Sequence, residues 1–124
     1  MEIPKNDYIR NVLDAYRQTP TTAGVVHRND RLLAARLYDC AIPLAVVQNA
    51  LILASARRIA RLPNAPPLQP IRSLYYLVPV IEEVLGAHVP PDYYSTLQSK
   101  IESILRLKQW IRHLPDTFKI NPIP

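Results

Sequence analysis

Residues 41–56 read AIPLAVVQNALILASA and form the most apolar stretch of the 124-residue chain. The stretch includes three polar residues and falls short of the ~20 apolar residues that a helix needs to cross a bilayer. Pro43 suits the first position of a helix, and the residues after it are apolar on nearly all sides until Ser55. We therefore predict a helix from Pro43 to about Leu62, at the centre of a helical bundle.

Glycine and proline divide the rest of the chain into helices rather than strands. The chain has two glycines and thirteen prolines, and it has no Asn-Gly or Asp-Gly turn of the kind that joins strands. Helical spacing of apolar residues predicts four further helices, over about 7–18, 30–40, 71–85 and 92–113. Pro79 predicts a kink or a break into two short helices. The sequence thus predicts an all-α fold, a compact bundle of about five helices.

A proline-rich connector, residues 63–70, joins the third and fourth predicted helices. Four prolines in eight residues exclude a helix there, and the apolar residues between them predict that the connector packs along the bundle. The tail, residues 114–124, is also punctuated by proline and is predicted to be extended. We expect one domain over residues 1–124, a length that buries an ordinary core.

Positive charge is the main guide to a partner. Fifteen Lys and Arg residues against ten Asp and Glu residues give a formal net charge of +5, and eleven of the fifteen are arginine. The planar guanidinium of arginine pairs well with phosphate. Nucleic acid, an anionic membrane surface and an acidic protein could each use this charge, and the arginine content favours nucleic acid.

The basic residues fall into groups along the predicted helices. One group flanks the second helix, another ends the third and begins the fourth, and a further group lies on the fifth. If these groups converge, they form a phosphate-tracking surface with salt-sensitive binding; the alternative is a solvated face with cations at helix ends. The candidate phosphate-binding residues are Arg28, Arg31, Arg36, Arg57, Arg58, Arg61, Arg72, Lys100, Arg106, Lys108 and Arg112.

Residues 31–50, RLLAARLYDCAIPLAVVQNA, resemble a helix-turn-helix. The spacing of Ala35, Ala41 and Val47 is similar to the pattern in bacterial DNA-binding proteins and recombinases, with a small residue where helices cross, a turn and an inward apolar anchor. The turn position usually held by glycine is Ala41. A DNA-reading unit and an ordinary helical corner are the two interpretations of this segment. The early base-reading candidates on its second helix are Gln48 and Asn49.

Tyrosines occur as two adjacent pairs, Tyr75–Tyr76 and Tyr93–Tyr94. On a helix, one member of each pair is expected to face inward and the other outward. An outward tyrosine beside an arginine can stack on a base, whereas many such tyrosines only cover the edge of a core with the hydroxyl in water. The core interpretation is the one we favour for both pairs.

Residue spacing gives catalysis little support. The three histidines (His27, His88 and His113) have no metal-ligand spacing, and Cys40 stands alone and is predicted to be a small core residue. The chain has no glycine-rich phosphate loop or nucleophile elbow. We expect a protein that is not an enzyme and that holds no metal or cofactor.

Residues 29–58, 71–76 and 79–83 resemble small helical proteins of bacterial mobile elements. Similar segments accompany replication or transposition genes, so the resemblance implies a DNA-transaction setting and favours DNA over RNA. It carries over no functional residue. We therefore expect a non-catalytic nucleic-acid-binding protein that uses an arginine-rich helical face. The alternative is a protein-interaction subunit of a larger nucleoprotein assembly, or a homodimer, with Trp110 and the tail as contacts.

The compartment is predicted from cysteine usage and from the first residues. A single cysteine cannot form an internal disulfide, which indicates a reducing compartment. Residues 1–10 mix charges and lack the apolar run of a secretory signal. We expect a cytoplasmic protein without a membrane partner.

Overall fold

The apolar stretch forms helix α3, Leu44–Ile59, in a computed structural model that describes residues 3–60, 68–87, 89–90 and 92–112, without the side chains of 108 and 110–112. Pro43 precedes the helix as its N-cap, as its fixed φ favours. α3 packs against α1, α4 and α5, whose bounds follow, and Val47 and Ala50 are completely buried. The prediction of a central apolar helix is confirmed.

Within the described residues, four other α-helices and one short 3-10 helix complete the bundle. They are α1 (Lys5–Gln18), α2 (Arg28–Asp39), the 3-10 helix (Leu74–Leu77), α4 (Val78–Gly86) and α5 (Tyr93–Arg112). Within the described ranges the chain has no strand, only an isolated parallel bridge between Thr22 and Ile71. The described part of the chain is therefore all-α, a compact bundle of five α-helices, as predicted.

The fourth predicted helix begins later than expected and is divided in two. Ile71, its expected first residue, instead donates its N–H to the Thr21 carbonyl at 2.9 Å and accepts the Ala23 N–H at 2.8 Å. These two bonds hold the backbone extended, so the helical part begins only at Leu74. Pro79 lies in the first turn of α4, where its missing N–H costs no helical hydrogen bond. The predicted break is confirmed, and the predicted start was wrong.

Two buried tyrosines of α1 join the core to distant backbone. Tyr8 and Tyr16 are completely buried, yet each hydroxyl donates to a carbonyl, Tyr8 to Ile42 at 2.7 Å and Tyr16 to Ile71 at 3.1 Å. Burial raises the pKa of Tyr8 to about 12. Burial, followed by the negative charge of Asp30, raises the pKa of Tyr16. Both rings combine a large apolar area with a satisfied polar end.

The corner between α2 and α3 is a tight turn on the surface. Ala41 has a φ of +58°, the left-handed conformation that favours glycine, and this is the position that glycine usually holds in a helix-turn-helix. Both helices pack against α1 and make few close backbone contacts with one another. Cys40 caps the end of α2 and is exposed, so the prediction that it is a core residue was wrong.

None of the helices within the described ranges is long and apolar enough to cross a membrane. Of the proline-rich connector, residues 68–70 are described, and all three are exposed, which does not support packing of this part along the bundle. Residues 63–67 of the connector and the tail, residues 114–124, lie outside the described residues.

Candidate nucleic-acid interface

A buried carboxylate connects the start of α2 to the start of the 3-10 helix. Asp30 is completely buried, and its Oδ2 accepts the His27 N–H at 2.9 Å. Its Oδ1 accepts the Leu74 N–H at 2.8 Å and the Ser73 hydroxyl at 3.1 Å. The carboxylate thus completes the first turn of α2, which begins two residues before its predicted start, and it also fixes a segment more than forty residues away.

Arg72 lies between two fixed neighbours. On one side Ile71 is buried and held by the backbone bonds to Thr21 and Ala23. On the other side the Ser73 hydroxyl is bonded to Asp30. Arg72 itself is exposed, so its backbone is anchored while its side chain reaches solvent.

A second arginine, Arg58 at the end of α3, meets the same segment. It donates to the backbone carbonyl of Gln69, and its Nη1 is 3.1 Å from the Tyr76 hydroxyl oxygen. Its guanidinium carbon lies 5.5 Å from the centre of the Tyr76 ring, within the range of a cation–π interaction. Arg72 donates to the Gln69 side-chain oxygen at 3.2 Å. Gln69 therefore joins Arg58 and Arg72, and we call Arg58, Gln69, Arg72 and Tyr76 the connector cluster.

Arg57 has a different environment from its neighbour in sequence. Its guanidinium forms a two-point ion pair with Glu83 of α4, with Nη1 2.7 Å from Oε2. Hydrogen bonding to Arg57 lowers the pKa of Glu83, and the same bond raises the pKa of Arg57. The pair is exposed, and the carboxylate offsets the charge that Arg57 could offer to a phosphate.

The outer face of α2 carries three further arginines. Arg28, Arg31 and Arg36 are exposed, and none of them belongs to an ion pair within the described part of the chain. Successive residues of an α-helix are about 100° apart, so Arg31 lies about 100° around the helix from the buried Asp30. Arg28 is the next arginine around the helix, and Arg36 lies on the far flank. We call these three residues the α2 arginines.

Two of the remaining basic candidates lie on a different helix. Lys100 and Arg106 are exposed on α5, which packs mainly on α3. Arg61 and the side chains of Lys108 and Arg112 lie outside the described residues. The structure therefore brings Arg58 and Arg72 together through Gln69, and α2, which carries three further arginines, packs against the 3-10 helix that follows Arg72.

Gln48, which is exposed, and Asn49, which is half-buried, line a groove. The groove has a volume of about 520 Å³ and lies between the end of α1, the middle of α3 and α5. Its floor includes Leu51, Ile52 and Ile101. Because α5 runs along this side of α3, α3 does not project as a free recognition helix, which favours the ordinary helical corner. Base contacts by Gln48 and Asn49 stay a prediction.

The tyrosine pairs differ from one another. Tyr94 is buried and Tyr93 is 39% exposed, as predicted. Tyr75 and Tyr76 are both outward, 45% and 52% exposed, so the prediction of one inward member was wrong there. A 3-10 helix has three residues per turn, so Leu74 and Leu77 share its buried side and both tyrosines are left outside.

Sequence reasoning missed Asp30 and Gln69 as positioning residues. An aspartate near the start of a helix is an ordinary signal for a cap, and nothing in its spacing indicates a partner at Ser73 or Leu74.

In the described part of the chain, no three His, Cys, Asp or Glu side chains come close enough to hold a metal ion. Comparisons with protein-family models, with curated proteins and with solved structures found no match to this chain.

Proposed function

We propose that this protein binds nucleic acid through a surface made of the α2 arginines and the connector cluster, which we call the arginine surface. One observation carries the proposal: the buried Asp30 carboxylate bonds the start of α2 to Ser73 and Leu74. Arg31 follows Asp30 and Arg72 precedes Ser73, and we infer that this bond keeps the two exposed arginines, which come from distant parts of the chain, on one surface. Such convergence is what phosphate tracking requires.

The charge of this surface is available to an external partner. The ion pairs within the described residues involve Lys5, Arg10, Arg17 and Arg57. The α2 arginines and the two arginines of the connector cluster are therefore in none of them. Gln69 orients Arg58 and Arg72 through neutral oxygens, which leaves their positive charge uncompensated. Arginines held in this way suit bidentate bonds to phosphate oxygens.

The salt dependence of binding gives the proposal a magnitude. If Arg28, Arg31, Arg58 and Arg72 each neutralise one phosphate, log K falls with log salt at a slope of about −2.8 for single strands and about −3.6 for duplex. Raising the salt from about 50 to about 200 mM then weakens binding roughly 50-fold for single strands and roughly 150-fold for duplex.

The test is a fluorescence-anisotropy titration of labelled DNA and RNA at these two salt concentrations. Arg31→Gln and Arg72→Gln, singly and together, are compared with Arg10→Gln, which removes one charge from an exposed ion pair on α1. Each surface variant should lower the salt slope by about 0.7 to 0.9, and Arg10→Gln should leave it nearly unchanged.

Two outcomes contradict the proposal. The first is the absence of binding to any nucleic acid at low salt. The second is an equal loss of affinity in Arg10→Gln and Arg72→Gln, since equal losses mean that net charge acts without a defined surface. A replication or transposition setting for such binding, in a bacterial mobile element, rests on the sequence resemblance alone.

A second candidate function is a protein-interaction subunit, and exposed apolar residues on α5 favour it. Ile104 is 37% exposed, and Leu107 is 55% exposed. α5 packs mainly on α3, so this side of the helix is uncovered within the described residues. Self-association is the simplest form of this function. Sedimentation analysis of the protein and of Leu107→Glu tests it, and a monomer at all concentrations would contradict self-association.

A further inference from the structure

We propose that the arginine surface selects single-stranded nucleic acid, with Tyr75 and Tyr76 stacking on unpaired bases. This inference rests on the proposed function and narrows it to a substrate class. Its starting point is the 3-10 helix Leu74–Leu77, which presents two adjacent tyrosines next to the connector cluster. Their rings add little to the core, since about half of each side chain is exposed.

The two rings are available as stacking surfaces. Among the described aromatic residues the close ring pairs are Tyr8–Tyr38 and Tyr93–Tyr94, and neither Tyr75 nor Tyr76 takes part in one. Arg58 lies against the Tyr76 ring and still leaves it 52% exposed. A base that stacks on this ring would bring its own phosphate close to Arg58, because the guanidinium and the ring are in contact.

The shape of the surface favours a single strand over a duplex. Bases of a duplex are stacked on one another and offer only their edges, which a protein reads by inserting a helix or a ribbon into a groove. The 3-10 helix has four residues, and two of them, Leu74 and Leu77, are completely buried in the bundle. The tyrosines therefore cannot reach far into a groove, whereas an unpaired base can swing out onto them.

The outer face of α2 supports a sequence-tolerant single-strand site. Its exposed side chains beside the arginines include Leu32, which is apolar and 53% exposed. Arginines that follow a backbone, combined with aromatic rings that accept any base, are the usual elements of single-strand binding without sequence preference.

The experiment compares labelled oligothymidylate, oligouridylate and a mixed-sequence duplex of equal length at about 50 mM salt, by fluorescence anisotropy. The variants are Tyr76→Ala, Tyr75→Ala and Tyr76→Phe, with Tyr93→Ala as a control that removes an exposed tyrosine elsewhere, at the start of α5. Circular dichroism and thermal melting establish that each variant is folded.

We expect single strands to bind more tightly than duplex. Tyr76→Ala should weaken single-strand binding about 5- to 150-fold, the usual range for one stacked base, and should change duplex binding less than about 2-fold. Tyr75→Ala should act in the same direction. Tyr76→Phe keeps the ring and loses the contact of the hydroxyl with Arg58, so it should retain most of the affinity. Tyr93→Ala should bind like the unmodified protein.

The control outcomes separate this inference from the proposed function. If Tyr76→Ala affects single strands and duplex equally while Arg72→Gln still lowers the salt slope, the single-strand inference is wrong and the arginine surface stands. Tighter binding of duplex than of either single strand would also contradict the single-strand inference and leave the arginine surface standing. If no nucleic acid binds, both proposals are wrong. The oligothymidylate and oligouridylate arms decide between DNA and RNA.

Discussion

The buried carboxylate of Asp30 allows a prediction with a worked magnitude. In Asp30→Asn the amide oxygen can still accept from Leu74 and Ser73, but the amide nitrogen then faces the His27 N–H, which loses its acceptor. The loss of one charge-assisted bond, and of the charge on the two others, should cost about 2 to 4 kcal/mol. Asp30→Ala removes all three bonds and should cost more.

The expected shift in melting temperature follows from the size of the chain. An unfolding entropy of about 2.1 cal/mol/K per residue gives roughly 0.26 kcal/mol/K for a chain of this length, so Asp30→Asn should melt about 8 to 15 °C below the unmodified protein. Asp39→Asn is the matched control, since it removes the same charge from α2 at an exposed ion pair with Lys5 and should change stability by less than about 1 kcal/mol.

The nucleic-acid affinity of Asp30→Asn, measured well below its melting temperature, gives a second test. The direction of the change in affinity separates two roles for Asp30. Removing an anion near cations should strengthen nucleic-acid binding if electrostatic potential alone decides the affinity. If Asp30 acts by holding Arg31 and Arg72 together, Asp30→Asn should instead weaken binding and lower the salt slope. A melting temperature within about 2 °C of the unmodified protein, or tighter binding with an unchanged slope, would refute the positioning role.

Three further predictions concern other parts of the fold. Glu83→Gln removes the carboxylate that offsets Arg57, so nucleic-acid binding at about 50 mM salt should strengthen a few-fold in the anisotropy assay, and unchanged affinity would show that Arg57 does not contribute beside the arginine surface. Tyr8 keeps its proton until about pH 12 in the folded chain but loses it near pH 10 when the chain is unfolded. The contribution of Tyr8 to the free energy of unfolding is therefore fully present below pH 10, and it falls by about 2 to 3 kcal/mol as the pH rises to 12. Tyr8→Phe should lose about 1 kcal/mol at neutral pH with the bond to Ile42, and its melting temperature should then fall less between pH 7 and 11 than that of the unmodified protein; an identical fall would contradict this. Ala41 has a positive φ, so Ala41→Gly should stabilise the protein by up to about 1 kcal/mol, and Ala41→Val should destabilise it by at least as much. Urea unfolding measures both changes, and the opposite order of stabilities would be incompatible with a left-handed residue at this position.

Features that depend on neighbouring residues could be predicted from the sequence. The central position of α3 follows from its apolar composition, and the break at Pro79 follows from the missing N–H of proline. The opposite exposures of Tyr93 and Tyr94 follow from the period of an α-helix. The same rule was wrong for Tyr75 and Tyr76 because their segment is a 3-10 helix, whose period places both of them outside.

Features that depend on distant residues could not be predicted in this way. Arg57 and Arg58 are adjacent and looked equivalent as sequence, yet Arg57 pairs with Glu83, 26 residues away, while Arg58 contacts Tyr76 and Gln69. No local pattern fixes these partners, because they depend on how α3 packs against α4 and against the segment before the 3-10 helix. The sequence therefore predicted the candidate site only as a set of charged residues. The structure was needed to show that Arg57 is paired with a carboxylate, whereas Arg58 bonds to neutral oxygens.

Two carboxylates near these arginines have opposite consequences for the charge of the surface. Glu83 bonds directly to Arg57, so its negative charge offsets the positive charge of that arginine. Asp30 is buried and satisfied by N–H and O–H donors, and its position in the first turn of α2 places the anion at the positive end of the helix dipole. These donors compensate the buried negative charge of Asp30, so the carboxylate needs no arginine as a partner. Asp30 can therefore fix the backbone beside Arg31 and Arg72 without pairing with either guanidinium group.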